Sequence, residues 1–299
     1  MLHTQGMLYA AAILIVHAAS NKVPGSRRRC EEQGVLQGEI RTLQETQEVL
    51  QGEVTALRDT VATLSALVSG MLPEDCSVAQ ARGSWSSVTQ VCPPGLGPRK
   101  VRCDQKTAGG GWTVILARLP THQQPQDRHD FNRSWHQYKE GFGDINGEFW
   151  IGNDVLHALT HDVPNQLRVT LSDWKGRSAV STWDYFRVGS EQEQYKLSVG
   201  QYQPESTAGD ALSHHNQRAF STYDHDNDID HFVDHCAQRH GGGWWYFSCY
   251  VSHLTGTALP PNVTGHHGIV WRTWRETLGL KDVTMMIRPA SLPTCPRKP

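Results

Sequence analysis

From Gln33 to Met71 the apolar residues fall into two columns with a seven-residue repeat, and this pattern leaves the segment few ways to fold. Leu36, Leu43, Leu50, Leu57, Leu64 and Met71 form one column. Ile40, Val54, Val61 and Val68, with Gln47 among them, form the other. The alternating spacing of four and three holds for five heptads without a slip, and the segment contains no proline. A 3.5-residue period keeps a narrow seam on one side of a helix only when helices wind left-handed about each other. A stripe of two residues in seven is too narrow for a helix packed on its own domain. Residues 33–72 are therefore expected to form a coiled coil that assembles the protein as a homo-oligomer. VLQGE recurs at 35 and 49, two heptads apart. Gln47 interrupts its apolar column, and a polar residue there can fix register at some loss of stability. Glu53 and Arg58 stand where an interhelical ion pair can form. A β-branched column opposite a leucine column favours two strands, and a trimer remains open. Cys30, just before the first heptad, is placed to bond chains together.

The flanking composition sets the compartment and the second region. Met7 to Ala19 is a thirteen-residue apolar run followed by Ser20. It is too short to span a bilayer and has the length of a signal-peptide core, with small residues at the cleavage point. Residues 1–20 are read as a signal peptide and 21–32 as an exposed linker carrying Arg27, Arg28, Arg29 and Cys30. No later run approaches twenty apolar residues, so the expected product is secreted and extracellular, without membrane insertion. Pro73 ends the helix, and from Glu74 leucine thins out while glycine and tryptophan rise. Strand-like runs at Trp112–Ala117, Gln166–Leu171 and Val283–Ile287 lie between Gly, Asp and Pro turns, with a short helical signal at Asn153–Leu159. Residues 74–299 read as one α+β domain with long loops, large enough to bury a sizeable core. The net charge is −2, with no long basic block, so the charge balance gives no argument for nucleic acid. Seven cysteines in an oxidising compartment are disulfide candidates, and an odd number leaves at least one free or bonded between chains. Sixteen histidines offer a means of sensing pH.

Enzymatic signatures are missing. No GxSxG, Walker loop or strand–helix GxGxxG occurs, and no spacing of Ser, His and Asp selects a triad. His231 and His235 stand four apart, but HFVDH lacks the glutamate of a zinc protease helix. The protein is read as a non-enzyme. A different chemistry gathers between Ser221 and Cys249. Aspartates alternate at 224, 226, 228 and 230, then come Cys236, three glycines, Trp244, Trp245 and Cys249. Alternating carboxylates supply hard oxygen ligands suited to Ca²⁺. An EF-hand is excluded, since counting from Asp224 puts Ile229 at the glycine position and His235 at the glutamate position. Cysteines thirteen apart can staple such a loop.

GGGWTV at 109–114 is the first of a series of stretches that carry a resemblance. It is followed by FNRSWHQYKEGFGDINGEFWIGND at 131–154 and QLRVTLSDWKG at 166–176. YFRVG at 185–189, YKLSVGQY at 195–202, HHNQRAFSTYDHDND at 214–228, GGGWWY at 241–246, GIVWRTW from 268 and VTMMIRP to 289 complete it. In this unbroken order the region resembles a fibrinogen C-terminal globular domain, the domain of ficolin-type lectins and of angiopoietin-like ligands. The resemblance implies a central antiparallel sheet with long loops. It also implies disulfides Cys76–Cys103 and Cys236–Cys249. Cys92 and Cys295 are additional and are expected to pair, leaving Cys30 for the oligomer.

The same resemblance implies a Ca²⁺ site of two aspartate side chains and two carbonyls. Aligned on STYDHDND, the ligands are Asp226 and Asp228, with carbonyls at Asp230 and Phe232. Counted back from Cys236, they are Asp228 and Asp230, because IDHFVDHC is two residues longer than the usual connection. In the family's lectins a pocket beside this site takes an acetyl group, and Tyr246, Phe247, Ser248, Cys249, Tyr250 and His253 map to it, with Ser248 in a cis peptide. Four positions depart from that pattern: Tyr250 stands for a histidine, His253 for an asparagine, Gly265 for a tyrosine and His266 for an acidic residue. The last two remove the carboxylate needed to meet the amino terminus of a fibrin knob peptide. Trp244 and Trp245 are expected to pack in the core. Asn132 and Asn262 head glycosylation sequons, and Asn262 lies near the pocket. Taken together, the expected function is a secreted, Ca²⁺-dependent, multivalent lectin for acetylated glycans in innate recognition. The alternatives are an angiopoietin-like ligand that clusters a receptor ectodomain, or an extracellular-matrix protein.

Overall fold

The structure is a computed structural model that describes residues 26–119, 129–228 and 235–290, with side chains from residue 33 except at 69. The expected signal peptide, the Cys30 side chain, Asp230, Phe232 and Cys295 lie outside the described residues. The protein divides into two units, Met1–Leu64 and Ser65–Pro299. Among the described residues no helix is long and apolar enough to cross a membrane.

The long helix α1 runs over Ser26–Met71. Its heptad positions are all exposed in the single polypeptide: Leu43 is 69%, Leu57 64% and Val61 63% accessible. Apolar side chains in regular register, exposed among the described residues, are the state a coiled-coil strand has before it meets its partners. The helix stops before Pro73, and Asp75 starts the next one, α2 (Cys76–Ala81), by accepting hydrogen bonds from the Ser77 and Val78 amides.

The second unit is built on a nine-stranded antiparallel sheet. Its strands are β1 (Val88–Val91), β2 (Arg99–Asp104), β3 (Trp112–Arg118), β4 (Phe142–Gly143), β5 (Phe149–Trp150), β6 (Asn165–Ser172), β7 (Ser178–Val188), β8 (Leu197–Tyr202) and, after the short pair β9 (Ser252–His253) and β10 (Val270–Trp271), β11 (Asp282–Pro289). The order across the main path is β1-β2-β3-β11-β6-β7-β8. The C-terminal strand β11 therefore enters the middle of the sheet, pairing Met285 with Val169 on one side and with Leu116 on the other. Helices α3 (Trp135–Glu140) and α4 (Asn153–Thr160) pack near one side, and α5 (Cys236–His240) and α6 (Arg272–Arg275) stand among the loops. The strands and the helix expected from sequence at 112–117, 166–171, 283–287 and 153–159 are all present, each longer by one to three residues.

Burial along β6 alternates strictly, with Leu167, Val169 and Leu171 inside. Period-two alternation sends one set of side chains to the core and the other set to the opposite face. The inward set joins Trp150, Trp183, Phe186, Phe220, Trp244, Trp245 and Trp271 in one aromatic core. Trp244 and Trp245 are fully buried, as expected. Gly243 is required beside them, since a Cβ there would lie 2.7 Å from the Phe220 ring and 2.8 Å from Tyr138. Disulfides join Cys76 to Cys103 and Cys236 to Cys249. The third expected pair falls partly outside the described residues: Cys92 forms no disulfide among them, its Sγ contacts the Leu96 carbonyl at 3.2 Å, and its expected partner Cys295 lies beyond them. A tight local turn already supplies this thiol with an acceptor.

Candidate functional site

The acidic loop is anchored before it presents any carboxylate. Ser221 and Trp244 exchange backbone hydrogen bonds of 2.9 and 3.1 Å. Asn227 fixes the other end: its amide N–H donates to Ser221 Oγ, its Nδ2 donates to the Phe220 carbonyl, and its Oδ1 accepts from Gln194 Nε2. Between them the aspartates divide their work. Asp224 Oδ1 accepts from Thr222 Oγ1 at 2.7 Å and from the Trp135 amide at 2.9 Å, so it caps the start of α3. A carboxylate at a helix N-terminus is well placed for this. The His225 ring stacks on Trp135 at 4.2 Å, which holds the turn against the same helix.

Asp226 and Asp228 turn the other way. Asp226 Oδ1 accepts from the Asp228 amide at 3.1 Å, and Asp228 Oδ2 accepts from the Cys236 amide at 2.9 Å. Together with His235 they place one donor atom each within 4.8 Å of one another. His235 Nδ1 lies 3.9 Å from Asp226 Oδ1 and, among the described residues, is buried without a hydrogen bond. Of the two alignments, the pair at 226 and 228 lies among the described residues and converges, whereas the pair at 228 and 230 includes a residue outside them. Two carboxylates suit Ca²⁺, which takes about six to eight oxygens, whereas an imidazole nitrogen suits Zn²⁺ or Cu²⁺. Calcium thus fits the aspartates and does not use the histidine. Nothing in the sequence pattern of alternating aspartates points to His235 beside them.

The Cys236–Cys249 disulfide ties this loop to the segment 244–253. The Ser248–Cys249 peptide is cis. The segment is held mainly by His215, to which sequence reading assigns no role. His215 is fully buried. Its Nδ1 contacts the Trp245 carbonyl at 2.7 Å, and its Nε2 accepts from the Val251 and Ser252 amides at 3.3 and 3.2 Å. Two acceptor contacts at Nε2 fix the proton on Nδ1. Burial, with the positive charge of Arg218 and His214 nearby, pushes the His215 pKa down to about 3. The ring is neutral because a buried cation here would face two N–H dipoles. The signal is present in the sequence as the HHNQR stretch, but a histidine in a loop looks the same whether it faces water or core.

The residues expected to line an acetyl pocket fall into two groups. Tyr246 and His253 are 1% and 0% exposed and meet each other, Tyr246 O–H lying 2.9 Å from His253 Nε2 and also donating to the Gly242 carbonyl. Burial holds His253 well below the ordinary histidine value and raises Tyr246 well above that of tyrosine. Tyr250 is 6% exposed, and its hydroxyl donates to the His266 carbonyl. Burial pushes its pKa up to about 12. The wall formed by Tyr246, Tyr250 and His253 is therefore packed interior: the two hydroxyls and His253 Nε2 are satisfied by one another and by backbone, and only His253 Nδ1 is left without a hydrogen bond among the described residues. Only Phe247, Ser248 and, in part, Cys249 reach the surface.

At that surface Phe247 forms a cluster the sequence does not reveal. The Arg218 guanidinium lies 3.6 Å from the Phe247 ring centroid. The His214 Nε2 stands 3.0 Å from the Phe247 carbonyl, with its ring 5.2 Å from that of Phe247. Arginine over an aromatic ring at a half-exposed position is the composition of an interaction hot spot. Of the sequon asparagines, Asn262 is exposed on a turn with φ +62°, and Asn132 is exposed with its Oδ1 3.4 Å from the Gly242 amide.

Known proteins are similar to this one in sequence and in fold. The family model for the C-terminal globular domain of the fibrinogen beta and gamma chains matches residues 72–290. Human angiopoietin-related protein 7 is 39% identical over 222 residues, covering 72% of this chain and 61% of its own length. Human angiopoietin-4 is 34% identical over 280 residues, covering 92% of this chain and 54% of its own length. The protein thus spans little more than half the length of these relatives. Among solved structures, the fibrinogen-like globe domain of human ANGPTL2 superposes with TM-score 0.68 at 36% identity, over 73% of this chain and all of that one. The lamprey fibrin D-dimer, complexed with the peptide Gly-His-Arg-Pro-amide, gives TM-score 0.64 at 27% identity, over 91% and 95% of the two chains. With its globular region matched from end to end, the protein belongs to the fibrinogen C-terminal domain family.

Proposed function

We propose that this protein is a secreted, non-enzymatic, multivalent ligand of the angiopoietin-like kind, whose globular heads bind a receptor ectodomain and whose coiled-coil stalk joins the heads. The observation that carries this reading is the 92% coverage of the protein by its similarity to angiopoietin-4, which takes in helix as well as head. The placement of Tyr246, Tyr250 and His253 in the interior supports it, because a lectin for acetylated glycans needs that wall open. The surface left at Phe247, Arg218 and His214 suits a protein partner, where an aromatic and an arginine anchor contacts. The loss of the knob-peptide carboxylate at His266 argues against a fibrin-like peptide ligand. The partner of each exposed heptad stripe is a second copy of the same helix. When Ca²⁺ is bound, Asp226 and Asp228 hold it, and it stiffens the loop that the disulfide closes.

Joining weak heads raises apparent affinity by about 10²–10⁴ when targets can be engaged together. The test is binding of the purified oligomer to cells. Saturable binding that is abolished by trypsin treatment of the cells, weakened at least tenfold by Phe247→Ala, and indifferent to free N-acetylglucosamine supports the proposal. Retention on N-acetylated glycans, eluted by the free sugar and abolished by chelator, would overturn it in favour of the lectin.

A further inference from the structure

A second polar site lies on the face of the sheet opposite the aromatic core. Strand β6 turns Gln166 and Arg168 to that face, β7 turns Thr182 and Asp184, and β11 contributes Arg288; with Trp112, Gln203 and residues 205–207 they line a cleft of about 560 Å³. The register sets Arg168 at its centre, opposite Thr182 on β7 and Met286 on β11. Its polar groups differ in how fully they are used. Arg288 stacks over Trp112 at 4.3 Å and donates to the Ala108 and Gly110 carbonyls and to Gln166 Oε1. Asp184 accepts from Gln166 Nε2 and Gln203 Nε2. Both are committed to the fold.

Arg168 is not. Among the described residues its guanidinium makes no hydrogen bond, and its Nε is buried without a partner. Asp104 is the acidic charge that favours its protonated form, but the oxygens of Asp104 already accept from the Lys106 and Thr107 amides and from Thr107 Oγ1. A half-buried guanidinium whose Nε is buried without a partner among the described residues is an unmet demand for an oxyanion, because that donor forgoes a charge-assisted bond. Beside it, Ser206 Oγ and Thr207 Oγ1 accept from the Thr182 and Val180 amides at 3.0 Å, which leaves both hydroxyl protons to donate. The other wall is acidic, carrying Asp184 and an exposed Glu205. A polyanion would be repelled there, whereas a molecule with one carboxylate and neighbouring hydroxyl groups would meet Arg168 with the first and the acidic wall with the second.

We propose that this cleft binds the carboxylate of a hydroxylated acid, an acidic monosaccharide unit, through Arg168, Ser206 and Thr207, independently of the Phe247 surface. The two sources of that unit are the free acid and a uronate residue within a glycan.

The test titrates the full-length oligomer with glucuronate by saturation-transfer and chemical-shift NMR. Millimolar binding is expected, with no binding of glucose and at least a tenfold loss in Arg168→Gln, whose unchanged thermal midpoint certifies its fold. Arg168→Lys should retain part of the affinity, and chelator and Phe247→Ala should leave it unchanged. A hyaluronan tetrasaccharide binding more tightly than glucuronate identifies the glycan source, and the reverse identifies the free acid. Equal binding of glucose, binding of inorganic sulfate as tight as glucuronate, full binding by Arg168→Gln, or no binding of glucuronate would each overturn the proposal.

Discussion

His215 makes the stability of the head depend on pH in a way that can be calculated. In the fold its pKa is pushed down to about 3, by burial first. In the unfolded polypeptide it returns to about 6.5. Between these values the unfolded form holds a proton that the folded form refuses, so stability is complete above about pH 6.5 and is lost as pH falls towards 3. The slope is about 1.4 kcal/mol per pH unit where the two forms differ fully, which gives a loss of about 2 kcal/mol between pH 7.5 and 5.0 from this residue alone. All ten tryptophans follow the long helix, so their fluorescence reports the head. Urea unfolding of the disulfide-intact protein at both pH values, for wild type and His215→Gln, isolates the contribution. Glutamine keeps a donor and an acceptor but cannot titrate. It cannot reach all three of the Trp245 carbonyl, Val251 amide and Ser252 amide, so the variant should be about 1–3 kcal/mol less stable at pH 7.5. Its further loss at pH 5.0 should be about 2 kcal/mol smaller than in wild type. Other buried histidines, His253 foremost, act in both proteins and cancel in the difference. Equal acid losses in the two proteins would refute the assignment of a neutral, clamping His215.

Three further outcomes are expected. Ca²⁺ at 100 times its dissociation constant should raise head stability by about 2.7 kcal/mol, read as a rise in thermal midpoint. Asp228→Asn should abolish that gain, while Asp224→Ala should lower stability by about 1 kcal/mol and keep it, since Asp224 serves the helix start. With Cys30→Ser to remove the expected interchain disulfide, Val54→Asp in the heptad seam should convert the oligomer to monomer in sedimentation velocity without changing head fluorescence. Replacing both Cys236 and Cys249 by alanine should lower head stability by about 3 kcal/mol in urea titration, because a short closed loop loses its constraint on the unfolded state.

How much of this is legible in the sequence depends on whether the signal is periodic. The heptads and the alternating runs at 166–171 and 283–287 are readable because spacing alone decides which side a residue faces. The cysteine pairs at 76–103 and 236–249 follow from resemblance and are present. What fails is inference about depth. Tyr250 and His253 suit a pocket wall because they are polar-tipped, yet each finds its partner inside, on the His266 carbonyl and on Tyr246. The four aspartates look equivalent, and only the fold shows that Asp224 faces α3 while Asp226 and Asp228 face His235. The Arg218–Phe247 stack joins residues 29 positions apart and leaves no local trace.

The position of β11 has a consequence for how such a protein is made. A strand from residues 282–289 is the central rib of the sheet, so β3 and β6 share no edge until those residues have left the ribosome. Everything emerging earlier must wait as two half-sheets, each with an open edge exposed to other nascent polypeptides. A premature stop before Asp282 would therefore remove a keystone and leave both halves without a common partner. Completion of this one late strand would then act as a test of the whole head.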